Sequence, residues 1–375
     1  MSRQSVQLAA VSTRCSDSAD MTGSKYLLAM SGGVDSSVAA ALLSQEGKQC
    51  YGVMLKLHGK FTDRLDRCGT AEDLLDAKAV AHKLNIPFSV CNCEERFERE
   101  VIERFVSSYE RGETPNPCIE CNKYMKFGAL FEYADRIGCE YIATGHYARA
   151  EYDEKYNRKV LKKAVDQTKD QSYVLASLSC SQLERVHFPL GRYTKAQIRD
   201  IADKLGLAVS QKKESQDICF IPDGKYVNFI ERYRSKKYDR GNFVDKNGNI
   251  LGTHQGIIRY TVGQHKKLGI ITPEPMYVDK IIPETNEILL VSDKELYKRE
   301  VSIKDLVWSA IDTPPHEFCA DVKLRYRHPP APCTVKTEND RTATLIFDEP
   351  QRAPAKGQSA VIYDGDTVLG CGIIT

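Results

Sequence analysis

The run Ser31-Gly32-Gly33-Val34-Asp35-Ser36-Ser37 constrains this chain more than any other stretch, because it joins an apolar run, Tyr26 to Met30, to an alanine-rich helical pattern from Val34 to Gln45. Strand, glycine turn and helix follow in that order. Glycines without side chains let backbone N–H groups approach a phosphate, a helix start favours negative charge, and the hydroxyls of Ser31, Ser36 and Ser37 can add donors. The expected ligand is a polyphosphate. No lysine follows the glycines as in the Gly-x-x-x-x-Gly-Lys-Ser/Thr loop, so an ordinary phosphoryl-transfer loop fits poorly.

The same alternation continues downstream. Gly52 to Leu57 reads as a second strand, and Thr70 opens a helix whose Leu74, Leu75, Ala77, Ala81 and Leu84 should form one apolar face. Ile86 to Cys91 is a third strand, helical patterns run from Glu94 to Tyr109 and from Asn122 to Ile137, and Tyr141 to Gly145 is a fourth apolar run. This is an α/β parallel sheet, in which ligands sit beyond the carboxyl ends of the strands. The Ser31 loop and the Gly145-His146 turn therefore share one rim. After about residue 210 the long helical patterns give way to short segments broken by Gly, Pro and Asn. There, Phe243 to Leu251 reads as a hairpin with a type I′ turn at Asn247-Gly248. Beyond about residue 282, five runs with mostly two-residue alternation suit a small antiparallel barrel. The expected division is a tail over 1–24, a nucleotide-binding domain over 25–210, a central domain over 211–281 and a C-terminal antiparallel β-barrel over 282–375.

At 375 residues the chain can support several cores, which excludes a single small module. Its 53 basic against 51 acidic residues leave a net charge of +2, so any nucleic-acid surface must be local. One candidate is Arg232 to Arg240, five basic residues interleaved with aromatics, which could follow a phosphate backbone; Lys266, Lys267, Lys323 and Arg327 could extend it. Thirteen cysteines, no secretory signal and no bilayer-spanning apolar run point to a reducing compartment, cytoplasmic or, in a eukaryote, mitochondrial, and to no membrane partner.

Two of those cysteines stand out. Cys121 lies in Thr114 to Lys123, a proline-stiffened loop leading into a helix, where the helix start and Lys123 favour a thiolate. Cys219, in Glu214 to Ile221, lies just past the sheet domain, and folding could bring it alongside. The spacing Cys118-x-x-Cys121 leaves a redox pair, half a zinc site or two iron–sulfur ligands open.

Together these motifs resemble the PP-loop ATP pyrophosphatases, which have an adenine nucleotide alpha hydrolase-like domain, and within them the tRNA-specific 2-thiouridylase (MnmA) family. The resemblance rests on the Ser31 loop, Asn116-Pro117 with Cys121 to Lys123, Ala143 to Tyr147, Lys169 to Tyr173, Ser215 to Ile221, Tyr260 to Gln264 and Gly357 to Val361. It implies that ATP with Mg2+ adenylates the C2 oxygen of the wobble uridine in a tRNA anticodon stem-loop. Sulfur carried as a persulfide on Cys219 then displaces AMP, with Cys121 as the second catalytic thiol. A cysteine desulfurase or sulfur-relay protein would supply that sulfur. By the same resemblance Ala29, Met30, Ser31, Gly32, Gly33, Val34, Asp35, Ser36, Leu55 and Gly145 would contact ATP. Asn116, Pro117, Cys118, His146, Lys169, Asp170, Gln171, Arg325, Tyr326 and Gln358 would meet the tRNA.

One position departs from the family. The commonest pattern has Asp where this chain has Cys118, a carboxylate associated with proton transfer at the target base. The change creates a three-thiolate set, Cys118, Cys121 and Cys219, of the kind with which related sulfur-transfer enzymes hold a [4Fe-4S] cluster, so a cluster-based route stands beside the persulfide relay. Two other functions compete. A PP-loop ligase adenylating a small metabolite would need neither thiol, and a non-catalytic iron–sulfur RNA-binding protein would not couple AMP release to tRNA.

Overall fold

The computed structural model describes residues 23–57, 70–207, 209–210, 212, 218–221 and 223–375. The expected tail falls almost wholly outside them, as do residues 215–217 of the Cys219 motif. The chain opens with β1 (Lys25–Ala29), whose residues alternate between two cores. Tyr26 and Leu28 join Met30, Val38 and Leu43 on one face, and Leu27 joins Val53, Leu130 and Ile142 on the other. After the glycine turn come α1 (Val34–Gln45), β2 (Gln49–Lys56), α2 (Ala71–Lys83) and β3 (Phe88–Asn92). Thr70 caps α2 with a reciprocal capping box: its Oγ1 accepts from Asp73 N at 3.1 Å, and Asp73 Oδ2 accepts from Thr70 N at 3.2 Å. The apolar face of α2 differs by one residue from the expected one. Val80 is buried with Ala77 and Ala81, whereas Leu75 is 66% exposed, because it lies about two residues' rotation away from that stripe.

Two long helical rods come next. The first runs Glu94–Phe97, Glu98–Ile102 and Glu103–Glu110, the second Pro117–Glu120, Cys121–Ala129 and Leu130–Ile137; the middle segment of each is π-helical. Then come β4 (Tyr141–Ala143), a hairpin of β5 (Ala148–Asp153) and β6 (Arg158–Lys163), and β7 (Val186–His187). The first sheet has the order β3-β2-β1-β4-β7 and is parallel throughout. The architecture is thus α/β, as expected.

The central region carries the helix Tyr226–Arg234 and a sheet of β8 (Gly241–Val244), β9 (Ile250–His254), β10 (Tyr277–Ile282) and β11 (Glu287–Val291), ordered β10-β11-β8-β9. This sheet continues to Val291, past the change of pattern near residue 282, because the polar stretch 283–286 is a hairpin turn. The expected hairpin at β8 and β9 forms, but its turn is not type I′: Gly248 takes φ +80°, whereas Asn247 does not adopt a left-handed backbone. Asp245 shapes it instead, its Oδ1 accepting from Asn247 N at 2.8 Å and Asn249 N at 2.9 Å.

The C-terminal barrel comprises β12 (Tyr297–Trp308), β13 (Glu317–Lys323), β14 (Ala331–Asn339), β15 (Thr342–Arg352), β16 (Ser359–Asp364) and β17 (Thr367–Ile374). It closes through pairing of β12 with β17, and the β5–β6 hairpin extends it at Lys162 opposite Thr367. No helix among the described residues is long and apolar enough to cross a membrane.

The basic run 232–240 does not present the free positive track its composition suggests. Arg234 donates to Glu103 at 2.6 and 2.8 Å and to Glu110 at 3.0 Å; Tyr238 donates to Glu110 at 2.6 Å, and Lys237 pairs with Glu231. These charges dock the helix Tyr226–Arg234 onto the first rod, so acids on a distant segment neutralise what looked like a nucleic-acid patch. Replacing Arg234 with Met should cost roughly 1–3 kcal/mol in denaturant unfolding, because Glu103 and Glu110 lose a half-buried partner. Lys237→Met, at an 83% exposed side chain, should shift stability by less than about 0.5 kcal/mol.

Candidate active site

The strand order reverses between β1 and β4, and in such sheets the crevice beyond their carboxyl ends is where ligands bind. Both walls are bare backbone. Gly32 holds φ +75°, and a Cβ there would stand 2.2 Å from Asp73 O. A Cβ on Gly145 would stand 2.7 Å from both Ser36 N and Asp35 C, so the β4 turn can touch the start of α1 only as glycine. Gly33 caps α1 without any side-chain acceptor, leaving first-turn N–H groups to a ligand or solvent. The loop braces itself from within. Ser36 and Ser37 Oγ donate to Gly33 O at 3.1 and 2.8 Å, and Ser31 Oγ lies 3.2 Å from Ser36 Oγ. Met30 and Val34 turn their side chains into the core, so they offer the crevice only main chain.

Two lysines complete this loop. Lys195 Nζ donates to both oxygens of Asp35 at 2.7 and 2.9 Å, and Tyr147 Oη donates to Asp35 Oδ1 at 2.8 Å. Lys212 Nζ reaches Asp73 and Asp76 at 2.6 Å each and Gly32 O at 3.3 Å, tying α2 to the glycine turn. Sequence reasoning missed both. The capping pattern Thr194-x-x-Gln197, which forms a capping box, marks a helix start that would have singled out Lys195; nothing local singles out Lys212.

The second rod begins earlier than its apolar pattern suggests. Asn116 is the N-cap, its Oδ1 accepting from Cys118 N at 3.1 Å, and Pro117 takes the first helical position. Cys118 therefore occupies the first turn and is exposed, while Cys121 lies a turn further in and is half-buried. Cys118 thus lies nearer the start of the rod than Cys121 does. Cys121 packs against a core cluster formed by the first rod and the central region, and Cys219, Cys91 and Leu55 pack against the same cluster. Phe220 fixes its neighbour Cys219 there: it is 1% exposed, with Phe97 and Phe105 edge-on at 5.8 and 5.4 Å. Among the described residues no group of three or more His, Cys, Asp or Glu side chains is placed to hold a metal ion.

Several residues expected to meet tRNA gather around the loop before Cys118. Gln358 Nε2 donates to Thr114 O at 2.6 Å and Thr114 N donates to Lys356 O at 2.8 Å, so a turn of the barrel clamps the loop. Tyr326 Oη donates to Asp170 O at 3.1 Å, and burial, followed by the charge of Asp170, pushes its hydroxyl pKa up. Asp170 caps the following turn by accepting from Ser172 N and Oγ. Gln171 is held to Tyr147 by two backbone-linked bonds of 2.8 Å, and Lys169 N donates to Asp166 O at 3.0 Å. Two residues are placed otherwise. His146 is buried, with Nδ1 2.7 Å from Thr144 Oγ1 and Nε2 3.2 Å from Lys126 Nζ, and burial followed by Lys126 holds it neutral. Arg325 donates to Ala353 O at 2.5 Å and Val262 O at 3.4 Å, bracing the seam between barrel and central region. Between the second rod and the barrel opens a cleft of about 740 Å³, lined by Asn116, Lys123, Arg104, Lys304 and Lys356 among others.

The chain matches three domain descriptions in series: a tRNA methyl transferase HUP domain over 24–223, a tRNA methyl transferase PRC-barrel domain over 227–293 and an aminomethyltransferase beta-barrel domain over 298–374. It is 46% identical over 352 residues to a tRNA-specific 2-thiouridylase MnmA from Clostridioides difficile, covering 93% of this chain and 98% of that protein. The chain belongs to the tRNA-specific 2-thiouridylase family. Family members from Geotalea uraniireducens and Carboxydothermus hydrogenoformans are 46% and 44% identical, each over 93% of this chain and over 94% and 97% of their own length. A solved 4-thiouridine synthetase–RNA complex with bound ATP is 18% identical over 56% of this chain and 50% of its own, with a TM-score of 0.35, a likeness too remote to bear on function.

Gly145→Ala should weaken ATP binding by at least about tenfold in calorimetry while leaving circular dichroism unchanged, because the added methyl pushes β4 away from α1. His187 gives a pH signature. Burial, then Lys159, pulls its imidazole down to about 4, whereas unfolding returns it to about 6.5. Between those values the unfolded chain binds more protons, so this contribution is complete above pH 6.5 and is lost as the pH falls. Between pH 7 and pH 5 the wild type should therefore lose about 1–2 kcal/mol more stability than His187→Gln, read from urea midpoints at each pH.

Proposed function

We propose that this chain is a tRNA 2-thiouridylase that adenylates the C2 oxygen of a wobble uridine with ATP and replaces that oxygen with sulfur. The observation that carries this reading is the convergence of Cys121 and Cys219, distant in sequence, on one core cluster that Leu55 also joins from the carboxyl end of β2. The glycine loop cradles the phosphates, with Mg2+ entering as their counter-ion, and the uridine oxygen attacks the α-phosphorus, releasing pyrophosphate. The terminal sulfur of a Cys219 persulfide then attacks C2 and the C–O bond to AMP breaks. Cys121 attacks the Cys219 sulfur, freeing thiouridine and leaving a Cys121–Cys219 disulfide that an external dithiol must reduce. An anticodon uridine is already unpaired, and the cleft beside Asn116 and Lys123 has the volume of a small-molecule site. His146 and Arg325 serve as positioning residues for this face, through Lys126 and through the barrel seam. A sulfurtransferase-type donor recharges Cys219, and the chemistry suits a reducing compartment such as the cytoplasm or mitochondrion.

Incubating the purified chain with ATP, Mg2+, a persulfide donor, a dithiol and unmodified tRNA should yield 2-thiouridine, AMP and pyrophosphate in equal amounts, read by nucleoside mass analysis. The same measurement separates sulfur-for-oxygen exchange from the methyl gain that the domain descriptions would suggest. Cys121→Ser and Cys219→Ser should each fall below about one thousandth of the wild-type rate. Iron-free Cys118→Asp should stay within about threefold of it, since no cluster is required. Thiolation that survives Cys219→Ser, or AMP formation indifferent to tRNA, would refute the proposal.

A further inference from the structure

A second pair of thiols lies at the end of β3. In Cys91-Asn92-Cys93 the two cysteines are two residues apart, the strand spacing that brings side chains to one face, and their sulfurs stand 3.5 Å apart. Cys91 is half-buried and Cys93 buried. Both line a cavity of about 500 Å³, with Arg96, Glu132, Tyr133 and Arg136 among its other walls. Cys91 is the more exposed thiol of the two and Cys93 the more buried.

We propose that Cys91 and Cys93 form a reversible disulfide by exchange with a small-molecule disulfide, giving the chain a two-electron redox pair in addition to Cys121 and Cys219, with which Cys91 shares a core cluster. Closing a disulfide requires the sulfurs to approach by about 1.5 Å, to roughly 2.05 Å. Among the described residues β3 is the edge strand of its sheet, paired with β2; Cys93 has left strand geometry at φ −129°, ψ 18°, while its N–H still donates to Lys56 O at 2.9 Å. The Cys91 thiolate attacks one sulfur of the oxidant; that S–S bond breaks and the first thiol departs, taking up a proton. Cys93 then loses its proton and attacks the Cys91 sulfur, releasing the second thiol. Two cysteine thiols are oxidised by two electrons, and the oxidant is reduced to two thiols.

The surroundings set the order of the steps. Burial pushes the Cys93 thiol up to about 12, helped by the hydrogen bond and charge of Cys91, while Arg96 acts in the opposite direction. Cys93, the more buried thiol, is therefore the second to react, after Cys91 has been engaged.

The test uses the full chain, equilibrated with rising ratios of oxidised to reduced glutathione, quenched in acid, alkylated and digested with trypsin. Both cysteines fall in the peptide from Leu84 to Arg96. Oxidation should make that peptide lighter by two hydrogens and closed to alkylation, increasingly so with the ratio, and dithiothreitol should reverse it. Cys93→Ser should hold glutathione on Cys91 at least about tenfold more than Cys91→Ser holds it on Cys93. A peptide alkylated at both cysteines at every ratio would overturn the proposal, as would Cys91 joined to a different cysteine, or glutathione trapped preferentially on Cys93.

Discussion

The packing of Phe220 between Phe97 and Phe105 is the contact on which the reactive half of this structure depends. The three rings are buried and meet edge to face, an arrangement that adds to the roughly 1.5–3 kcal/mol each gains by leaving water. Phe97 and Phe105 belong to the first rod and Phe220 to the segment after the sheet domain. Their contact welds two parts of the chain that share no strand pairing. Cys219 precedes Phe220, so the burial of that ring helps to fix its position. The Arg234, Glu103 and Glu110 clamp then fixes the same joint from the solvent side.

Thiol placement along the second rod is a matter of helix geometry. Two cysteines three residues apart on an α-helix share a face. Here the helix turns π-helical at Cys121, which rotates the later residues about the axis, and Asn116 caps so early that Cys118 lies at the exposed tip. The pair reads as a ligand motif on paper, yet its members have different surroundings, one solvent and the other core. A persulfide relay needs only the inner thiol and Cys219 to meet.

Much of the fold could be read from pattern. The apolar strand before the glycine turn, the turn itself and the helix opening at Thr70 each obey a local rule, and each forms where the pattern puts it. Elements fixed by distant partners were not legible. The β5–β6 hairpin went unread, since Val160 and Leu161 alone in β6 are buried, and it pairs with the barrel at Lys162 opposite Thr367. Nothing in the local pattern announces either π-helical segment. At the site, the glycines and thiols declared themselves through spacing, whereas Lys195 and Lys212 reach the loop from far along the chain. Composition misled where acids on another segment intervened, as at Arg234.

The clamp from Gln358 to Thr114 spans 244 residues. Because synthesis proceeds from the amino end, the loop carrying Asn116 to Cys118 leaves the ribosome long before the barrel turn that steadies it. The loop from Thr114 to Cys118 therefore gains this support only once residue 358 has been made.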